Sequence, residues 1–529
     1  MKAKVQLVFR PARLQLLWDS SVEGQVRSLI AEFERPTKYY DRRLHRMVSG
    51  GKIKLIHKDG TFRTGLVWAV LKWWFKHNRL PVCVYIEKKH GSTVPVLKLV
   101  AEIVTEAEVN PTINRLLRRM CGLSRSADRS LDIDYRPHQV KGVDVFEKIP
   151  RGIWRCAVNA GKTYMAGMLC ERFPNERILI TVPYKRSFLA VQGYDAMRYD
   201  MRLRDVGLVK GSELSGERIV WAAVSTLLAR LRQNRRQTLN WLNTFGVLIK
   251  DECHEHTPAE QRLYDNMWAW ARLGMSGEPF RKDSGYDAVT VGCFGPVIYR
   301  VTNSYLVKHG YSAEPHVFMY RRQYRKFDPK SYRQFHDHIV ASKERNEEVV
   351  RVAVQLSRAY GHRVVISTGS VNPHAKTLVR MLKKYGTAML YYGPQQPKER
   401  KQVMRLFAQR RIEFLVGSNV FEVGVSEDAI SAIIIAGPIG KQTTHVRSPQ
   451  ILGRGMRFGK SSRRHLVLVD FADMVRFGTG QANRRLVIWK SDKAITTYTT
   501  TSLSGLLTLL DEEHLKWGAP MQTIRTKGR

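Results

Sequence analysis

From about Tyr135 onward, the chain alternates short β-branched apolar runs with longer stretches of helical periodicity. The runs Ile153–Val158, Arg177–Val182, Arg218–Val224, Phe245–Lys250 and Arg272–Ser276 predict one set of buried strands. A second set is predicted at Arg363–Thr368, Ala388–Tyr392, Glu413–Gly417, Ser431–Ala436 and His465–Asp470. Near-continuous apolar strands separated by helices are what a parallel sheet covered on both faces requires. The pattern therefore predicts an α/β fold with two such lobes, over 131–318 and 341–475. Between them, Tyr320–Arg333 interleaves Arg and Lys with Tyr324, Phe327 and Tyr332, which predicts a basic, aromatic linker at 319–340. Its rings either stack on nucleic acid or anchor the linker to a lobe. Residues 1–130 precede the alternation and form a separate N-terminal domain. Residues 476–529, apolar at Leu503–Leu510, form a short extension expected to pack on the second lobe.

Charge changes this picture most. The 529 residues carry 88 Lys and Arg against 47 Asp and Glu, a formal net charge of +41. Residues 1–128 hold 24 basic and 11 acidic side chains, and the rest of the excess is spread through the body. A basic tail is therefore excluded as the source. A folded chain that is basic throughout is built to meet a polyanion, with binding that weakens as salt rises. In the N-terminal domain, Tyr39–Arg63 concentrates Arg42, Arg43, Arg46, Lys52 and Lys54, either as a duplex contact or as a solvated face.

The six cysteines (Cys83, Cys121, Cys156, Cys170, Cys253 and Cys293) show no paired spacing and read as reduced thiols. The start of the chain has no apolar run of signal-peptide length. The apolar stretches Gly65–Phe75 and Ala429–Gly440 are shorter than the roughly 20 residues a membrane span needs. A cytoplasmic protein with no membrane segment is the expectation.

Two segments carry candidate chemistry in the first lobe. Cys156-Ala157-Val158-Asn159-Ala160-Gly161-Lys162-Thr163 follows a predicted strand and opens a predicted helix, the context of a phosphate-binding loop. In that reading Asn159, Ala160 and Gly161 offer backbone N–H groups, Lys162 reaches phosphate oxygens and Thr163 holds Mg²⁺. Cys156 stands where such loops usually carry glycine. The strand Phe245–Lys250 then runs into Asp251-Glu252-Cys253-His254. Carboxylates at the C-terminal end of a strand sit where an open α/β sheet places its ligand. Asp251 is the candidate Mg²⁺ residue and Glu252 the candidate base for the water that attacks ATP. A zinc site built on Cys253, His254 and His256 is disfavoured, because neighbours on one loop rarely converge on one ion. Upstream, Gln139 in Tyr135-Arg136-Pro137-His138-Gln139 is the candidate reader of the adenine edge, the alternative being an exposed helix residue.

Taken together, these segments resemble superfamily 2 helicases over about residues 131–475. Tyr135–Gln139 resembles the adenine motif, Asn159–Thr163 motif I, and Thr181–Pro183 with Lys185 motif Ia. Ser225–Thr226 resembles the strand-contacting segment, Asp251–His254 motif II and Met275–Pro279 motif III. Ser367–Ser370, Gly417–Ser426 and Gln450–Arg457 resemble motifs IV, V and VI. The resemblance implies two tandem RecA-like lobes that hydrolyse ATP between them to move along a strand. It makes Arg457 the arginine finger, with Arg454 bridging to the γ-phosphate, and adds Gly424 and Gln450 to the nucleotide residues. It also implies backbone contacts from Lys185, Arg186, Ser225, Thr226, Ser370 and Asn419. Two positions depart from the pattern: Glu278 stands where motif III usually has a hydroxyl, and Ser426 where motif V is commonly acidic, with Glu422 nearby.

Within the superfamily the chain looks most like phage recombination helicases of the UvsW type, with RecG-like and restriction-enzyme motors as relatives. That resemblance implies a DNA helicase or branch-migration translocase acting on forked or junction DNA in replication, recombination and repair. It would act as a monomer, alongside single-strand-binding or recombination proteins, in a bacterial or phage-infected cell. Three other readings stay open: an RNA helicase of DEAD-box character, a non-catalytic binding or origin-recognition protein on the same scaffold, and a restriction-type translocase.

Overall fold

The computed structural model describes residues 5–9, 13–41, 46–63, 66–77, 82–87, 93–99, 133–184, 186–211, 213–255, 257–280, 286–368, 371–392, 395–418, 430–438 and 464–518, with 114, 452, 455 and 456 singly. The chain divides into two compact units, Met1–Val301 and Thr302–Arg529.

Unit 1 opens with a five-stranded sheet. Its strands are β1 (Val5–Phe9), β2 (Arg13–Trp18), β5 (Thr61–Arg63), β6 (Val82–Glu87) and β7 (Thr93–Leu99), in the order β5-β2-β1-β6-β7. A separate antiparallel pair, β3 (Glu34–Asp41) and β4 (Arg46–Lys54), is inserted between them. The helix Val67–His77 buries Val67, Val70, Leu71 and Trp74, the three-and-four spacing that puts side chains on one face. That face shares a core with Leu14, Leu16, Val26, Leu29 and Phe62.

The rest of unit 1 is a seven-stranded parallel sheet. It comprises β8 (Arg151–Cys156), β9 (Ile178–Val182), β10 (Val206–Leu208), β11 (Ile219–Ala223), β12 (Val247–Asp251), β13 (Ala271–Ser276) and β14 (Val297–Val301). Their order is β10-β11-β9-β12-β13-β8-β14. The five predicted strands are its centre. The two edge strands, only three and five residues long, went unpredicted. The N-terminal sheet shares one apolar core with this sheet and is also fastened by charge: Arg63 Nε and Nη2 each lie 3.1 Å from the Asp265 carboxylate, and Arg13 Nη2 lies 2.9 Å from it. Asp265 is only 7% exposed.

Unit 2 repeats the plan with β15 (Glu314–Gln323), β16 (Val364–Thr368), β17 (Ala388–Leu390), β18 (Phe414–Ser418), β19 (Ala432–Ile435), β20 (His465–Met474) and β21 (Thr496–Thr500). The order is β17-β18-β16-β19-β20-β15-β21, all parallel. Side chains alternate between two cores: Val317 and Met319 of β15 join Leu466 and Leu468 of β20 on one face, and Phe318 and Tyr320 join Val467 and Val469 on the other. Burial on both faces is why these strands read as continuous apolar runs. Two seven-stranded parallel sheets make the fold α/β with two RecA-like lobes, preceded by the N-terminal sheet.

Unit 2 corrects the linker prediction. Residues 314–323 are a strand in the interior of the second sheet, and Tyr332–Ala341 is a helix. Of the charge that suggested a linker, Arg322 is paired within the unit, to Glu348 at 2.8 Å and to Glu344 at 3.1 Å. The rings are anchors: Tyr324 donates to Asp473 at 2.6 Å, and Phe327 stacks on His338. Arg345, fully buried, forks onto the same Asp473 carboxylate at 2.7 and 2.9 Å. The extension predicted after 475 contributes β21, next to β15, and the helix Leu503–Lys516, whose Leu506 and Leu510 enter the core.

Candidate nucleotide site

The C-terminal ends of β8, β13 and β12 gather the predicted chemistry of unit 1. Register puts Arg155 opposite Ser276 and Met275 opposite Asp251. The loop leaving β8 and the acidic end of β12 are thus two strands apart, roughly 10 Å.

The loop is held by its surroundings. Ala157 N–H donates to Val301 O at 2.9 Å, tying it to β14. The N-cap of the helix Lys162–Arg172 is Gly161 in the left-handed region, φ +78°, and Asn159 shares that region at φ +75°. The first-turn N–H groups of a helix have no partner within it, so this end presents donors to an anion. Lys162 Nζ rests 3.4 Å from Cys156 O, and among the described residues no carboxylate pairs with it. Cys156 is buried and takes the place of the usual glycine without opening the loop.

Gln139 is nearly buried and braces this loop. Its Oε1 accepts from Arg136 N–H at 3.0 Å, and its Nε2 donates to Ala160 O at 3.1 Å. One amide hydrogen and one lone pair remain for a ligand. His138 Nε2 also lies 2.9 Å from Ala160 O, and Arg136 Nη1 donates to Asn159 O at 3.3 Å. Neither His138 nor Arg136 was singled out from the sequence, although both stand in the same five-residue segment.

On β12, Asp251 Oδ1 accepts from Glu252 N–H at 3.0 Å, and Glu252 adopts φ +49°. Burial pushes the Asp251 carboxyl up to about 6, the Glu252 charge adding to this and Lys162 opposing it. The strand is braced by a buried ion pair, Lys250 to Glu260 at 2.8 Å, and Glu260 in turn closes a capping box with Thr257. Beyond it, His254 Nδ1 lies 2.8 Å from Ser276 Oγ and 3.3 Å from Glu252 Oε2. Ser276 also accepts from Glu278 N–H at 3.1 Å. The hydroxyl at the end of β13 thus links the two motifs, a role the sequence reading did not assign. Glu278 spends its carboxylate on Arg155 at 3.0 Å. Cys253 is fully buried and turned into the core against Gly274.

Of the proposed strand contacts, Ser225 and Thr226 begin the helix Val224–Gln233, half-buried. Arg186 is paired with Glu255 at 2.8 Å, beside the acidic loop. In unit 2, Ser367 and Gly417 lie near the ends of β16 and β18. Lys185, His256, Ser370, Asn419, Glu422, Gly424, Ser426, Gln450, Arg454 and Arg457 lie outside the described residues.

A model of the helicase conserved C-terminal domain matches residues 345–459. With the two parallel sheets and the motif order, this makes the chain similar to superfamily 2 helicases in fold and motif content. Its sequence is similar to the ATP-dependent DNA helicase uvsW of Enterobacteria phage T4, with 23% identity over 340 residues, 61% of this chain and 65% of that relative. Among solved structures it matches T4 UvsW at 17% identity over 94% of this chain and 99% of that chain, with a TM-score of 0.39. It also matches the DNA-bound ATP-dependent Type ISP restriction-modification enzyme LlaBIII at 12% identity, over 73% of this chain and 33% of that one, with a TM-score of 0.50.

Proposed function

We propose that the chain is an ATP-dependent DNA helicase or translocase that unwinds or branch-migrates forked and junction DNA. The observation that carries the ATPase part is the shared strand edge in unit 1. A helix end with Gly161 at its cap, where no carboxylate among the described residues pairs with Lys162, stands two strands from the Asp251–Glu252 pair. Lys162 and the loop N–H groups bind and orient the phosphates. Glu252, held beside His254, orients the attacking water and takes its proton. Thr163 and Asp251 fit a hard cation: both offer oxygen, and a carboxyl raised by burial gains from a nearby positive charge. They would hold Mg²⁺, which when bound neutralises charge on the phosphate oxygens. Arg454 and Arg457 are assigned to the same transition state, and Gln139, Gly424 and Gln450 to nucleotide contacts. Lys185, Arg186, Ser225, Thr226, Ser370 and Asn419 are assigned to the strand backbone.

The DNA preference is supported by the net charge of +41 and the phage relative's name. The test is ATP turnover and strand separation on single-stranded, duplex, forked, four-way-junction and RNA substrates, with Glu252→Gln and Arg457→Ala beside the unaltered protein. Branched DNA should stimulate most, and both variants should bind nucleotide but lose turnover by at least about a hundredfold. RNA stimulation equal to that of DNA would overturn the substrate assignment. Turnover surviving in Glu252→Gln would overturn the hydrolytic one.

A further inference from the structure

Glu314, His316 and His465 form a cluster of ligand-type side chains that the nucleotide site does not use. Glu314 and His465 are register partners where β15 and β20 begin. His316 is two residues further along β15, so the strand period places all three on one face of the sheet. Their ligand atoms lie within 4.8 Å of one another. His316 Nε2 is 3.1 Å from His465 Nδ1 and 3.9 Å from Glu314 Oε1, and His465 Nδ1 is 3.8 Å from Glu314 Oε2. Bonds of about 2.0–2.1 Å to a tetrahedral ion would set such atoms about 3.3 Å apart. The 3.1 Å nitrogen pair is close to that value, and rotation of the half-exposed Glu314 carboxylate brings one oxygen toward both nitrogens. The rings are already oriented. Trp517 stacks on His465 at 4.5 Å with an interplanar angle of 7°, and its ring is 4.4 Å from that of His316. His316 is buried, whereas the His465 and Glu314 side chains are 27% and 45% exposed, leaving the outer side open to water.

We propose that Glu314, His316 and His465 bind one divalent transition-metal ion of the zinc class, with water as the fourth ligand. Two imidazoles and a carboxylate form the mixed nitrogen–oxygen set that suits such an ion. The cluster lies where the strands begin, whereas open α/β sheets place reacting ligands where they end. The ion is therefore structural: it fastens β15 to β20 beneath Trp517, the residue that caps the helix Leu503–Lys516.

The test uses the full chain, stripped with a chelator and titrated with Zn²⁺ and, separately, with Co²⁺. One ion per chain should bind. The cobalt form should show visible d–d absorption without the near-ultraviolet thiolate band that a cysteine site would give. Saturation should raise the melting temperature by roughly 5 °C. His465→Ala and the shape-preserving Glu314→Gln should each weaken binding about a hundredfold while far-ultraviolet dichroism stays unchanged. Absence of binding at micromolar metal, equal affinity in both variants, or a thiolate band in the cobalt spectrum would overturn the site. The cluster would then be a hydrogen-bonded histidine pair beside a glutamate.

Discussion

At the scale of single residues, the loop after β8 depends on one glycine and one amide. An added Cβ at Gly161 would stand 2.2 Å from Gln139 Nε2, and φ there is +78°. Gly161→Ala therefore meets left-handed strain of about 1–2 kcal/mol and must displace the amide that bonds to Arg136 and Ala160. We expect ATP turnover to fall at least tenfold while the melting temperature drops by only a few degrees. Adding Gln139→Ala should recover part of that loss, and a double variant no better than Gly161→Ala would show that the clash is not the cause. His374 makes a different prediction. It is fully buried, its Nε2 lies 3.1 Å from Asn346 Oδ1, and burial, with Arg345 and His336, lowers its pKa to about 3. The folded state thus holds this ring neutral, while the unfolded chain binds a proton near pH 6.5. Its stabilisation is complete above pH 6.5 and is lost as pH falls toward 3, at up to about 1.4 kcal/mol per unit. Between pH 7 and 5, urea midpoints should fall less for His374→Gln than for the unaltered chain. Equal slopes would remove His374 from the account. The nearness of Lys162, Asp251, Glu252 and Gln139 to one another was legible, because each stands in or beside a loop that leaves a predicted strand. The Ser276–His254 bond was not, because it joins positions 22 residues apart that only the β12–β13 pairing brings together.

At the scale of elements, the joint between the N-terminal sheet and the sheet beside it rests on Asp265. Burial pushes its carboxyl up, but Arg63 and Arg13 outweigh that and hold it below the usual carboxylate range. The two arginines differ in environment: the Arg63 side chain is 20% exposed and that of Arg13 is 45%. Truncating a partner in a buried pair costs about 3–5 kcal/mol, whereas an exposed pair is worth under about 1. Arg63→Ala should therefore lower the first urea transition by about 3 kcal/mol and speed proteolytic release of the N-terminal domain, with Arg13→Ala changing little. Equal effects would mean that burial is not what distinguishes them. The central strands of the first sheet, and β16, β18, β19 and β20 of the second, were readable because each is apolar on two faces. The misses have physical causes. β10 is three residues long, β14 is an edge strand, and β21 (TTYTT) presents threonines where a buried run was sought. β15 was hidden by Arg321, Arg322 and the aromatics that follow, whose partners Glu348, Asp473 and His338 are distant in sequence or on another element.

At the scale of the whole molecule, the charge makes the sharpest demand. A net +41 over 529 residues repels itself, and phosphates are the counter-charge a strand supplies. Each phosphate neutralised releases condensed counter-ions, so the logarithm of affinity falls with the logarithm of salt at about 0.9 per contact on duplex. A motor holding six to ten phosphates would lose roughly 10³–10⁵ in affinity between 50 and 200 mM salt. The half-stimulating DNA concentration for ATP turnover should rise by that order, while turnover at saturating DNA changes far less. Replacing Lys52 and Lys54 with Gln tests whether the N-terminal domain shares in the grip. If these side chains meet phosphate, the slope should drop by up to about 2 without altering basal ATP hydrolysis. If the slope is unchanged, the N-terminal charge is a solvated face, and the strand is held by the motor units alone.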